Sequence, residues 1–209
     1  MLGGRIAGRA VPSYARAMQD PLLFALAVLA LLGTPGPTNT LLATAGAMAG
    51  LRASLKLILA EAAGYLIAIL GIGLLIGPAV ATSPLVSGAL RVVVGAYLVL
   101  LAVRLWQRGE AGPGPGGAVS FAQVWLTTLL NPKALVLALV VIPFGHPGVG
   151  LYLLGFTTLL MMCALGWIAF GATLGAAAGR AGKARFVPRA GSLAVGGFAA
   201  FLLLSPMLR

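Results

Sequence analysis

Hydrophobic positions in this chain run together instead of alternating with polar ones. Six apolar stretches, at residues 22–48, 57–80, 85–105, 121–144, 149–178 and 191–204, are divided by short polar or Gly/Pro-containing connections. A membrane-crossing helix takes about 20 mostly apolar residues, and a helix apolar on every face belongs in a bilayer or a deep core. The pattern predicts an all-α integral membrane protein with six transmembrane helices. The first and fourth stretches are interrupted, by GTPGPTNT at 33–40 and by LNPK at 130–133.

Proline removes a backbone donor and clashes with the preceding turn, so neither interruption can continue a regular helix. Thr34-Pro35 and Asn131-Pro132 are each a small polar residue followed by proline, the signature of a helix start: a side-chain cap, then proline at the first helical position. At about 1.5 Å per residue the two breaks lie roughly 18 Å and roughly 15 Å into their spans, near the middle of a hydrocarbon core about 30 Å thick. Non-helical backbone survives at that depth only where it packs against protein or lines a cavity.

Residues 106–120, WQRGEAGPGPGGAVS, form the one linker-like segment between spans. It divides the chain into residues 18–110, a first three-helix repeat, and residues 111–209, the linker and a second three-helix repeat. Three spans per half require related halves to lie upside down relative to one another, giving an inverted three-plus-three repeat with broken first and fourth helices. Residues 1–17 carry Arg5, Arg9 and Arg16 without the pattern of a signal peptide. They read as an upstream extension before a natural start at Met18, or as a short basic amphipathic helix on the membrane surface.

Composition narrows the class. With 60% hydrophobic and 8% charged residues and a mean hydropathy of +1.06, the chain has too little polar surface to cover a soluble globule. The net charge of +11 would suggest nucleic acid in a soluble protein, but here the basic residues flank spans, where topology accounts for them. Arg52 and Lys56, then Arg104 and Arg108, then Arg180, Lys183, Arg185 and Arg189 fall in alternate connections. The positive-inside rule places these in the cytoplasm and both termini outside. The contrary charges are the leader arginines, Arg91 and Arg209. Trp106 and Trp125 flank the central loop as interfacial anchors would.

Paired, proline-interrupted spans in corresponding positions of inverted halves point to a transporter binding site. Helix N-termini suit an anion such as a carboxylate, and Lys133 adds a full positive charge. The candidate substrate-binding residues are therefore Thr34, Pro35, Gly36, Pro37, Asn39, Thr40, Asn131, Pro132 and Lys133. Asn39 and Thr40 would look the same as capping residues. Glu61 lies inside the second span, where a carboxylate is costly unless paired or hydrated. Three roles are open to it: accepting a substrate ammonium, carrying a coupled proton, or pairing structurally with a basic group such as Lys133.

TPGPTNTLL at 34–42, the Gly50-Leu51-Arg52 turn and NPKALVLALVVIP at 131–143 resemble the amino-acid exporters of the LysE/RhtB family, over essentially the whole chain after Met18. The resemblance implies a multi-pass inner-membrane protein that exports amino acids or similar small zwitterionic solutes, coupled to the proton gradient, without a cofactor. The family pattern often has an acidic residue just after a glycine that aligns with Gly64; this chain has Tyr65 there and Glu61 one turn earlier.

Other residues carry less. His146 reads as a solvated turn residue, Tyr65 and Tyr97 need hydroxyl partners, and Cys163 reads as a small core residue that excludes a dithiol pair. Gly171, Gly175 and Gly179 recur every four residues, a face that lets another helix approach closely, and exposed glycine faces permit a homodimer. GIGLLIG at 71–77 has no preceding strand and is no dinucleotide fingerprint. A membrane enzyme lacks a nucleophile with a base or a metal cluster within the spans. The alternatives kept are a scaffold or assembly protein and a cation or thiol-reductant transporter of related fold.

Overall fold

The first apolar run folds as two helices. The computed structural model, which describes residues 20–76, 84–111, 119–144, 146–180 and 186–204, places α1 at Pro21–Gly33 and α2 at Pro37–Ser54, bent by 63° at the break. Asp20 starts α1 by accepting from the N–H groups of Leu22 and Leu23 at 2.8 and 3.1 Å. Two orphan donors are filled in this way, and Pro21 takes a position that needs no N–H. Towards its end α2 turns at Gly50, whose φ of 79° lies in the region that only glycine adopts freely.

The remaining elements follow the apolar runs. Helix α3, Lys56–Gly71, widens into a π-helical turn at Ile72–Ile76, and α4 is Pro84–Ala111. The fourth run is again two pieces: α5, Phe121–Leu129, and α6, Lys133–Val136, which widens into a π-helical stretch at Leu137–Val141. The two are bent by 51°. Helix α7, Val149–Arg180, and α8, Phe186–Leu204, complete the fold. The readings of residues 1–17, Met18, the Gly/Pro-rich centre of the linker at 112–118, Lys183, Arg185 and Arg209 fall outside the described residues.

Among the described residues, Lys56–Leu75 and Val149–Gly179 are long and apolar enough to cross a membrane as single helices. Each bent pair passes the same test as one broken span, which brings the number of crossings to as many as four. In α4 the apolar stretch so described is Gly95–Gln107. Large apolar side chains face outward all round, among them Leu59, Ile67, Leu151, Leu154, Met162 and Leu193, while Thr38, Asn39, Glu61, Thr128 and Asn131 are buried. That distribution is the reverse of a water-soluble surface and suits a bilayer.

Helices α2 and α7 pack at backbone distance. A Cβ built on Gly171 would lie 1.9 Å from the Ala43 carbonyl oxygen, one on Gly175 2.3 Å from that of Ala47, and one on Gly46 2.0 Å from that of Ile168. Gly179, the third member of the four-residue series, meets nothing within 4 Å. The spacing thus serves a real contact at two positions and not at the third, because the helices have diverged by that turn.

Two apolar clusters fill the interior. One joins Leu41, Ala45, Leu57, Ala60, Leu105, Val124, Ala164 and Ile168. The other joins Phe24, Leu32, Ala62, Tyr65, Ala134, Leu137, Phe156 and Leu160. Each of the first, second, fourth and fifth runs passes from one cluster to the other at the level of the breaks. The ends are sorted too. Arg52 and Lys56 lie at the α2–α3 junction beside the end of α7, and Arg189 stacks over the Trp106 ring at 5.3 Å, whereas Phe24, His146 and Tyr152 mark the opposite end.

The α2–α7 contact gives a paired prediction for thermal unfolding in detergent. Gly171→Ala should lose about 1–3 kcal/mol or more from overpacking, while Gly179→Ala, which meets open space, should be neutral or gain up to about 1 kcal/mol of helix propensity. Equal effects would place the contact elsewhere.

Candidate functional site

The site begins with how α1 ends. A helix C-terminus leaves carbonyls without partners, and at membrane depth there is no water to take them. Here protein groups do so. The Thr34 hydroxyl points back to the Ala30 and Leu31 carbonyls, each at 2.8 Å. Asn39 Nδ2 donates to the Leu32 and Thr34 carbonyls at 2.7 and 2.9 Å, and Trp167 Nε1 from α7 adds a bond to Leu32 at 3.3 Å. Lys133 Nζ, from the second break, donates to the Thr34 carbonyl.

This corrects the expected role of Thr34-Pro35. Thr34 terminates α1 and does not cap the next helix, which starts at Pro37 after an extended Gly36. The reason is the second proline: the residue before a proline is driven out of the helical region, so the start slips to Pro37, which then needs no N–H. Gly36 has a separate use. A Cβ there would stand 3.2 Å from both Cε and Nζ of Lys133, so a bare backbone lets the ammonium reach the α1 terminus.

At the second break Asn131 does cap. Its Oδ1 accepts from the Lys133 N–H at 3.0 Å, and its carbonyl accepts from Ala134 N at 2.9 Å. Its two amide protons go elsewhere: Nδ2 donates to Thr38 Oγ1 at 3.0 Å and to the Tyr65 hydroxyl at 3.1 Å. The hydroxyls of Thr38 and Thr128 lie 3.2 Å apart. The Asn131 side chain therefore ties α2 and α3 to the start of α6, and Thr128 adds α5 through Thr38. Tight packing of α3 on α5 makes this possible, since a Cβ on Gly64 would lie 2.8 Å from the Trp125 carbonyl oxygen and the Thr128 Cβ.

Glu61 lies one turn before Tyr65 on α3, so the two share the face turned toward the second break. It is 2% exposed, and its Oε2 is buried with no hydrogen-bond partner. It attracts Lys133 electrostatically, yet the ammonium is directed at the Thr34 carbonyl. No family model, curated protein or solved structure matches the chain. The reading of the site rests on its own geometry.

That geometry brings together Thr34, Gly36, Pro37, Asn39, Asn131, Pro132, Lys133 and Glu61. Two candidates make no side-chain hydrogen bond to this group: Pro35, exposed at the turn like its neighbour Thr34, and Thr40, whose methyl faces Gly191 of α8, 3.1 Å from a Cβ built there. The geometry adds Thr38, Tyr65, Thr128 and Trp167. Position 65, one turn from a carboxylate on the same helix face, was the available signal for Tyr65; nothing in the local sequence marks Trp167. Tyr97 finds its partner in Thr127 Oγ1 at 2.9 Å, away from the breaks. His146 Nδ1 accepts from Gly148 N at 2.9 Å, within the turn before α7. A cleft of about 660 Å³ beside that turn, lined by Phe24, Tyr152 and Thr158, and another of about 600 Å³ along α4 and α8 contain none of the break residues.

The Asn131 amide predicts an ordered pair of stability losses, read by unfolding of the purified protein. Asn131→Ala removes bonds to Thr38, Tyr65 and the Lys133 N–H and should cost about 1–2 kcal/mol, with Tyr65→Phe costing less, since buried polar groups left unpaired bear the desolvation penalty. A double variant no worse than Asn131→Ala alone would show that the two act through one bond.

Proposed function

We propose that the protein is a secondary transporter of the LysE/RhtB type, exporting amino acids or similar small zwitterionic solutes across the inner membrane in exchange for protons. The observation that carries this reading is the meeting of two mid-span helix breaks in one polar layer that also holds a buried, unpartnered carboxylate. Broken helices that converge at mid-depth supply backbone groups for a ligand that lipid-facing helices cannot offer.

The contact pattern supports an inverted repeat of three plus three spans. α2 of the first run packs mainly on α7, the fifth; α5 of the fourth run packs on α3, the second; and α4 and α8, the third and sixth, pack on each other. Exchanging first with fourth, second with fifth and third with sixth maps this set onto itself. Arg52, Lys56, Arg104 and Arg189 fall at one end of the bundle, which favours that end as cytoplasmic and the termini as outside.

In the proposed cycle the halves rock about the layer. A substrate carboxylate displaces the Thr34 carbonyl as the partner of Lys133, and the substrate ammonium takes the vacant Oε2 of Glu61. Return of the empty carrier is coupled to a proton in the ammonium's place, so one carboxylate serves both exchanged species.

The test is efflux from proteoliposomes loaded with a mixed amino-acid panel under an imposed proton gradient. Glu61→Gln should slow gradient-driven efflux by at least about tenfold, the loss of ~1.4 kcal/mol of binding, and flatten its pH dependence. Unchanged transport in that variant would remove Glu61 from the mechanism. No gradient-dependent loss of any panel member from wild-type vesicles would overturn the transport reading itself.

A further inference from the structure

We infer that the site selects amino acids by side-chain charge, admitting those whose side chains are neutral and rejecting both dibasic and dicarboxylic ones. The inference rests on the transport reading above and concerns the substrate class of the same layer.

It follows from an inventory of charges and free hydrogen-bonding groups. The chain holds three acidic residues, Asp20, Glu61 and Glu110. Asp20 is bonded to the first N–H groups of α1, a whole helix away from the break, and Glu110 falls in the last turn of α4. Glu61 is therefore the single carboxylate at the level of the breaks. Among the described side chains Lys133 is the single cation at that level, because Arg52 and Lys56 lie at the α2–α3 junction and Arg104 and Arg189 lie towards the Trp106 end. One anion and one cation match the ammonium and carboxylate of an amino acid. A third charge finds no counter-charge.

Most neutral polar side-chain groups at that level are already engaged. Both amide protons of Asn131 are taken by Thr38 and Tyr65, and its Oδ1 by the Lys133 N–H. The Leu32 carbonyl already accepts from Asn39 and Trp167. Thr128 Oγ1 donates to the Val124 carbonyl at 2.7 Å. The core packed on one side of these groups is apolar, with Leu32, Ala134, Phe156 and Leu160 among its members. A second ammonium, a guanidinium or a second carboxylate would have to be desolvated there without a partner, which is strongly unfavourable in a buried site. A methyl, hydroxyl or aliphatic side chain carries no such penalty.

The experiment uses the full-length protein in vesicles loaded with equal concentrations of alanine, threonine, leucine, lysine, arginine, aspartate and glutamate under an imposed proton gradient, with the retained contents measured by mass spectrometry. Neutral members should leave at least about a hundredfold faster than charged ones, given the penalty for an unpaired buried charge. Lysine, arginine or glutamate leaving within about tenfold of alanine would overturn the inference while the transport reading stands. Retention of the whole panel would overturn both.

A gain-of-function variant tests the inventory directly. Cys163, on α7, is partly buried and within electrostatic reach of Glu61 and Lys133. Cys163→Asp supplies the missing counter-charge and should raise lysine efflux relative to alanine by at least about tenfold. The variant elutes as a folded species in size exclusion or is replaced by Cys163→Glu. A folded variant with no rise in dibasic transport would overturn the argument from charge.

Discussion

Everything in this fold depends on one constraint: backbone N–H and C=O groups buried among apolar helices must find partners within the protein. Two proline interruptions violate the usual solution, an unbroken helix, and the rest of the structure is arranged to repair them. Asn39 and Trp167 take the carbonyls at the end of α1, Lys133 takes that of Thr34, and Asn131 takes the first donor of the fourth run's second half. The α1 end draws Lys133 and Trp167 from across the bundle, whereas the second break is capped locally by Asn131 and tied to the first run through Thr38. The repair therefore fixes the relative position of the two halves as well as the local backbone.

The same constraint explains the layering. Apolar clusters at either end of the bundle meet at a polar sheet of Thr38, Asn39, Glu61, Thr128 and Asn131. A buried polar network that is fully bonded rigidifies its surroundings, and one that is partly bonded is strained towards new partners. Within this layer Glu61 Oε2 is a fully buried atom with no hydrogen-bond partner. An open carboxylate near a lysine whose ammonium is held by a backbone carbonyl is an arrangement that a ligand with one ammonium and one carboxylate would complete. The close crossing of α2 on α7, allowed by Gly46, Gly171 and Gly175, brings Trp167 to the end of α1 and so belongs to the same construction.

Much of this was legible in the residues. Proline bars helix continuation whatever surrounds it, so both breaks could be read, as could the apolar runs and, at Gly171 and Gly175, the glycine face of the fifth. The errors have physical causes. The start of α2 was read two residues early because the second proline of Thr34-Pro35-Gly36-Pro37 acts on the residue before it. Thr40 was grouped with the site by its nearness in sequence to Asn39, although adjacent helical positions point about 100° apart, and it faces α8. The need of Tyr65 for a hydroxyl partner is legible, but that the partner is Asn131 is not, and nothing local marks Thr38, Thr128 or Trp167, because their partners lie far along the chain.

By itself the sequence determined where helices must stop, that the helices are apolar on most faces and how few charges enter the core, since those follow from local backbone chemistry and composition. Only the tertiary structure decided which groups heal each break, that Lys133 reaches over Gly36 to the end of α1, and that Glu61 is left with an unfilled oxygen. Those outcomes depend on how the two halves close on each other, and no local pattern encodes the register of contacts between residues some 60 to 135 positions apart.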